Sequence, residues 1–142
     1  MAISYVLINY WAVLVAAIIH MVLGALWYSP SYGFGNIWMK LSGLNRKKMN
    51  AMKKKGMTKA YILAFVSALV LNYILANFIG YVSAATFVDG MFLGFLIWFG
   101  FLVTTMLGMM LWEGKSYKLY LINVGYYLVS LLITGGILAV WS

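Results

Sequence analysis

The stretch Ala60–Val82, AYILAFVSALVLNYILANFIGYV, sets the class of this protein, because it contains no Asp, Glu, Lys or Arg. A helix needs about 20 mostly apolar residues, at about 1.5 Å per residue, to cross a membrane. Three more segments meet this requirement: Ile3–Tyr28, Gly90–Trp112 and Tyr117–Val140. The one Lys or Arg among the four is Lys118, next to the start of the last segment. We therefore predict an all-α integral membrane protein, a bundle of four transmembrane helices.

The composition supports the same class. The chain has 142 residues, of which 65% are hydrophobic and 8% charged, whereas soluble domains have about 45–50% apolar and about 25% charged residues. This length fits a single membrane domain covering residues 1–142. The chain contains no cysteine, which excludes thiol catalysis, cysteine zinc sites and iron–sulfur clusters.

The basic residues are concentrated in one loop. Of the ten Lys and Arg, eight lie between Lys40 and Lys59, and the others are Lys115 and Lys118. Loops 29–59 and 113–116 must lie on the same side of a four-span protein, and the positive-inside rule places them in the cytoplasm. We expect a multi-pass protein of the plasma (inner) membrane with both termini outside the cytoplasm.

The basic loop 29–59 is predicted to contain two helical stretches. The spacing of an amphipathic helix, i, i+3, i+4 and i+7, is met by Phe34, Ile37, Trp38 and Leu41. This helix is expected at the membrane interface, with packing across the end of the bundle as the alternative. Asn45 is expected to cap a second, cationic stretch. Its side chains are predicted to contact anionic lipid or an acidic partner, but not nucleic acid; they are Arg46, Lys47, Lys48, Lys53, Lys54 and Lys55.

Each span places a polar residue in the inner half of the membrane. His20 lies eight residues before Tyr28, about 12 Å from the end of its helix and so near the midplane. The same count puts four further polar residues in this layer, with Asn72 as the expected partner of His20; they are Asn72, Thr104, Thr105 and Asn123. The layer is either a hydrogen-bonded contact between helices or a proton-relay or ligand site. No metal site is expected, because one His without Cys or clustered carboxylates is a poor set of ligands.

Small residues recur at intervals of four along the spans. Such spacing lets helix backbones approach closely, since lipid supplies no hydrophobic drive for association. The residues expected at helix–helix contacts are Ala64, Ala68, Ala76, Gly94, Gly100 and Gly108. The contacts are expected within the bundle, and the alternative is that one stripe forms an intermolecular face.

The first span ends in a distinctive motif. Ser29-Pro30 is expected to stop the helix, and Trp27 and Tyr28 lie where the membrane–water boundary is predicted. Together with Gly24 before it and Gly33, Gly35 and Trp38 after it, the motif resembles the opening of a small prokaryotic membrane-protein family, domain of unknown function 1761. The tail, with Ile122-Asn-Val-Gly-Tyr-Tyr127, is similar to the last helix of that family. The resemblance implies four spans and no assigned chemistry.

Motifs of known catalytic chemistry are absent from the sequence, including the P-loop and His-Glu-x-x-His. Asp89, expected to cap the third span, and Glu113 are separated by the membrane thickness and cannot act as a catalytic pair. We therefore expect neither an enzyme nor a cofactor. The predicted function is association, as a homo-oligomer or as an accessory subunit of a membrane complex. The alternative is an oligomeric transporter of a small solute or ion, with its site around His20 and Asn72.

Overall fold

The structure, a computed structural model, describes residues 6–141, apart from the side chain of Arg46. All regular secondary structure in this range is helical, and four spans are long and apolar enough to cross a membrane, as predicted. The helices are α1 (Tyr10–Trp27), α2 (Gly35–Leu41), α3 (Arg46–Lys54), α4 (Thr58–Val82), α5 (Phe87–Ile97), a π-helical segment (Trp98–Val103), α6 (Thr104–Glu113) and α7 (Tyr117–Val140). The third span consists of α5, the π-helical segment and α6, which are continuous.

Hydrogen-bonding side chains set where the spans begin. α1 begins at Tyr10, because the Asn9 side chain accepts hydrogen bonds from two backbone N–H groups of the first turn. The predicted start at Ile3 lies outside the described residues, and residues 6–9 are not helical. The third span begins at Phe87, and its cap is Thr86, whose Oγ1 accepts from the Asp89 N–H at 3.1 Å. Asp89 is thus in the first turn and is not the cap.

The last helix, α7, is the centre of the bundle and contacts the other three spans. It runs antiparallel to α1. Near one end of this pair, the Asn9 side chain donates to the Trp141 carbonyl at 2.8 Å. At the other end, the Trp27 indole donates to the Ile122 carbonyl at 2.9 Å. We call this second end, which carries the loop between α1 and α4, the basic end of the bundle.

Glycine allows α5 to lie directly against α7. A Cβ added at Gly90 would clash with the backbone of Gly135, and one added at Gly94 would clash with the carbonyl of Leu131. Backbone contact of this kind maximises van der Waals packing where lipid gives no hydrophobic drive. The packing role predicted for Gly94 is therefore seen within the chain.

The middle of the third span is π-helical from Trp98 to Val103, which the sequence did not predict. Two side chains donate hydrogen bonds to carbonyls of this segment. The Thr104 hydroxyl donates to the Gly100 carbonyl at 2.8 Å, and the Tyr120 hydroxyl on α7 donates to the Val103 carbonyl at 2.9 Å. These bonds stabilise the irregular segment within the span.

Candidate functional site

The buried interior between α1 and α7 is built around His20. Only 6% of this residue is exposed, and its ring lies 5.2 Å from that of Tyr126 and 5.9 Å from that of Tyr127, centroid to centroid. The Tyr126 hydroxyl donates to the backbone carbonyl of His20 at 2.7 Å. His20 Nδ1 is buried without a hydrogen-bond partner. His20 is thus packed inside the bundle, on the inward face that its polarity predicted.

Three more polar side chains are fully buried, on α4 and α7. Asn72 donates from Nδ2 to the Ala68 carbonyl at 2.9 Å, while its Oδ1 has no partner. Thr134 donates to the Ser130 carbonyl at 2.9 Å, while the Ser130 hydroxyl has no partner. With His20 Nδ1, three helices therefore each bury one unpaired polar atom. Such atoms can hydrogen-bond water or a small polar molecule.

The predicted polar layer does not form as one group within the chain. Asn123 accepts a hydrogen bond from the Tyr28 hydroxyl at 2.7 Å, which places it at the basic end. No hydrogen bond joins His20 to Asn72 in the described structure, although both are buried. Depth along a helix places residues at similar levels, but the rotation of each helix, set by packing, determines which ones meet.

The outward face of the third span carries residues that the sequence placed inside. Thr104 and Thr105 are exposed. A Cβ added at Gly100 or Gly108 would have no atom within 4 Å, so neither glycine makes the predicted helix contact within the chain. The reason is that α5 already packs on α7 through Gly94, which turns the other side of the span outward.

The predicted stripe of alanines on α4 is only partly used. Ala68 is buried and Ala76 is half-buried, whereas Ala64 is exposed. The buried side chains of α4 lie from Ala68 onward, away from the basic end. The first two turns of α4 therefore stand apart from the rest of the bundle.

The motif after α1 forms a compact turn. The Ser29 carbonyl accepts from the Gly33 N–H at 2.9 Å and from the Gly35 N–H at 3.2 Å. A Cβ at Gly33 would clash with the Trp27 carbonyl, so only glycine fits this close approach. The Trp38 ring then packs on Tyr28 at 5.7 Å. Pro30 follows the last turn of α1, and the chain turns back into α2 as the Ser-Pro motif predicted.

Both helical stretches predicted in the basic loop 29–59 are present, as α2 and α3. α2 contacts α7, which supports packing across the end of the bundle; a position at the membrane interface stays a prediction. The Asn45 side chain caps α3 by accepting from the Lys48 N–H at 2.8 Å. The Arg46 side chain lies outside the described residues. The other five residues predicted to contact anionic lipid are exposed; they are Lys47, Lys48, Lys53, Lys54 and Lys55.

A cleft of about 790 Å³ opens at the basic end between α1, α4 and the two short helices. Its inner wall is formed by Tyr28, which follows α1, and by residues of α1, α4 and α7, namely Met21, Gly24, Ala25, Ala64 and Tyr126. α2 and the turn before it cover one side. The outer rim carries Asn50, Lys53 and Tyr61. The cleft therefore combines an apolar wall with a polar rim, which the sequence did not predict.

Several residues that hold the interior together were not singled out from the sequence. Ser130 and Thr134 are fully buried, and the Trp98 indole donates to the Val124 carbonyl at 2.7 Å. The spacing of Ser130 and Thr134, four residues apart in an apolar helix, is a signal that could have identified an inward polar face. Trp98 gave no such signal, because aromatic residues are common throughout these spans.

The acidic side chains and His20 do not cluster in the described part of the chain. The part of the chain that the structure describes holds no group of three or more His, Asp or Glu residues able to bind a metal ion. Glu113 Oε2 lies 4.0 Å from Lys115 Nζ, and both side chains are at least half exposed. A solvent-exposed pair of this kind contributes little to stability.

The fold and its interior define a multi-pass helical membrane protein with four spans and several polar side chains buried inside the bundle. A family model described as Protein of unknown function (DUF1761) matches residues 11–139, so the chain belongs to this family. The resemblance seen in the Trp-Tyr-Ser-Pro motif is thereby confirmed. Neither the curated proteins nor the solved structures contain a match to the chain.

Proposed function

We propose that the protein acts by association in the membrane, with the outward face of its third span as the contact and a second copy of the chain as the first partner. The observation that carries this proposal is the poor burial of the third span. Over an 18-residue stretch, 11% of its residues are buried, against 44% for α7. A span this exposed is held in one chain mainly by the contact of α5 with α7.

The outward face has the chemistry of a helix–helix contact. Gly100, Thr104 and Gly108 lie at intervals of four, and open space surrounds both glycines. The same spacing, at Gly90 and Gly94, already brings α5 against α7 within the chain. Small residues let a second helix approach to backbone contact, so the open glycines are suited to an intermolecular partner. An accessory role in a larger complex would use the same face.

The test is the oligomeric state of the purified protein in nanodiscs or mild detergent. We expect the wild-type chain to form a dimer or larger oligomer, and Gly100→Leu together with Gly108→Leu to shift it to the monomer by steric exclusion of the second helix. The matched control is Val66→Leu with Val70→Leu, which enlarges two exposed side chains of α4. A wild-type protein that is strictly monomeric and has no co-purifying partner would contradict the proposal.

A second candidate function, transport by an oligomer, is favoured by one observation. His20 Nδ1, Asn72 Oδ1 and Ser130 Oγ are buried without partners on three different helices. Unpaired polar groups inside a membrane protein often mark the path of a solute or proton. This function requires water to reach the centre of the bundle, whereas association does not.

A further inference from the structure

The cleft at the basic end exists because α1 and α4 pack together only over part of their length. Away from the basic end, Ala12 of α1 and Leu75 and Ile79 of α4 belong to one buried apolar cluster. Toward the basic end, Tyr61 and Ala64 of α4 are exposed and line the cleft instead. The two helices are therefore separated at the level of the cleft.

The inner wall of the cleft is suited to a hydrocarbon chain. Met21 and Ala25 are one turn apart on α1, and Ala64 faces the same space from α4. The hydroxyls of Tyr28 and Tyr126 at this wall are already bonded, to Asn123 and to the His20 carbonyl. Without other atoms in the gap, these side chains would lose dispersion contacts. Lipid acyl chains are the apolar groups that a bilayer can supply at this position.

The rim of the cleft is suited to an anionic headgroup. Lys53, Asn50 and Tyr61 can all donate hydrogen bonds, and none of their side chains has a hydrogen-bond or ion-pair partner within the described residues. The described lining contains no acidic residue. Glu113 lies 4.0 Å from Lys115 and is not among the residues that line the cleft. Basic pockets between spans of membrane proteins bind lipid headgroups.

We propose that this cleft binds one anionic phospholipid, with the phosphate at Lys53, Asn50 and Tyr61 and one acyl chain along Met21 and Ala64. The lipid would fill the gap between α1 and α4 and connect α3 to the spans. None of the residues that line this cleft belongs to the third span. The proposed lipid site therefore does not rest on the proposed association.

Native mass spectrometry of the detergent-purified protein tests the site with phosphatidylglycerol and phosphatidylcholine of identical acyl chains. We expect one phosphatidylglycerol to be retained in preference to phosphatidylcholine. Lys53→Gln should lower its retention about fivefold, the contribution of one lysine near an anionic surface. The matched control is Lys54→Gln, the next residue of α3, which does not line the cleft and should leave retention close to that of the wild type.

Two further measurements separate the lipid from other ligands. Ala64→Phe places a ring in the acyl-chain space and should reduce retention of both lipids, and an excess of glycerol phosphate should not displace the bound lipid. Equal effects of Lys53→Gln and Lys54→Gln, or equal retention of the two lipids, would overturn the proposal. Displacement by glycerol phosphate alone would overturn it in favour of a soluble phosphate ligand. Because Lys53 is exposed on α3, its variant remains informative even if Ala64→Phe fails to fold.

Discussion

Individual aromatic side chains connect the helices by donating to backbone carbonyls of a neighbouring span. The Trp27 indole bonds to the Ile122 carbonyl, and the Tyr126 hydroxyl bonds to the His20 carbonyl. A carbonyl oxygen has two lone pairs, so it can accept such a bond in addition to its helical one. Hydrogen bonds between spans contribute on average about 0.6 kcal/mol each. Several of them together orient α1 on α7 around His20.

The burial of Ser130 provides a test that distinguishes association from transport. The chain contains no cysteine, so Ser130→Cys introduces a single thiol at a fully buried position that itself holds one of the unpaired polar atoms. Association predicts a closed interior, and a polar thiol reagent should modify this cysteine at least about tenfold more slowly than an exposed one, since reaction requires local opening. The rates are measured by mass spectrometry, with Ser31→Cys, exposed at the basic end, as the control. Equal rates would favour transport.

Among the elements, the third span differs most from a uniform transmembrane helix. One side of it packs on α7 through glycine, and the other side leaves its glycines in open space. Its π-helical middle is held by hydrogen bonds from Thr104 and Tyr120. The span thus has one face that packs on α7 and another face whose glycines make no contact within the chain.

We expect Gly94→Val to destabilise the monomer by about 1–3 kcal/mol, the usual cost of overpacking. A Cβ at Gly94 meets the Leu131 carbonyl, so α5 must move away from α7. Gly100→Val is the matched control, because it makes the same change in helix propensity on the same span where nothing lies within 4 Å. The measurement is the free energy of unfolding in a detergent that keeps the protein monomeric. Equal losses for both variants would contradict the packing role of Gly94.

Across the whole molecule, the basic residues are concentrated at one end of the bundle. The loop between α1 and α4 and the segment around Lys115 and Lys118 contain all of the Lys and Arg residues. α2 and α3 fold back at this end, where the cleft also opens. Lysine and arginine beside spans are retained in the cytoplasm during insertion, so this asymmetry predicts the orientation of the protein.

Topology reporters test this orientation. Alkaline phosphatase, which is active only outside the cytoplasm, should be active when fused after Trp141 and inactive when inserted at Gly43 in the basic loop 29–59. Green fluorescent protein at the same two positions should give the opposite pattern, because it fluoresces only in the cytoplasm. The positive-inside rule is the physical reason. Active phosphatase at Gly43 together with a fluorescent fusion after Trp141 would show that the predicted orientation is reversed.

The spans and the basic helix were predictable because their signals are local. Hydropathy located the four spans, and α7 has the predicted bounds Tyr117–Val140. Asn45 gave the start of α3, since a capping side chain acts on the next few residues. The cap at Thr86 was missed because aspartate is preferred over threonine as a capping residue, whereas the helix begins at Phe87, before Asp89.

The sequence specified which segments enter the membrane, because the transfer of apolar and charged side chains into hydrocarbon depends on the residues themselves. The tertiary structure determined the rotation of each span about its axis, since this depends on which surfaces of different helices pack together. That is why His20 and Asn72 are buried while Thr104, at a similar predicted depth, is exposed. It is also why the cleft beside Lys53 became visible only when α1, α3 and α4 were placed together.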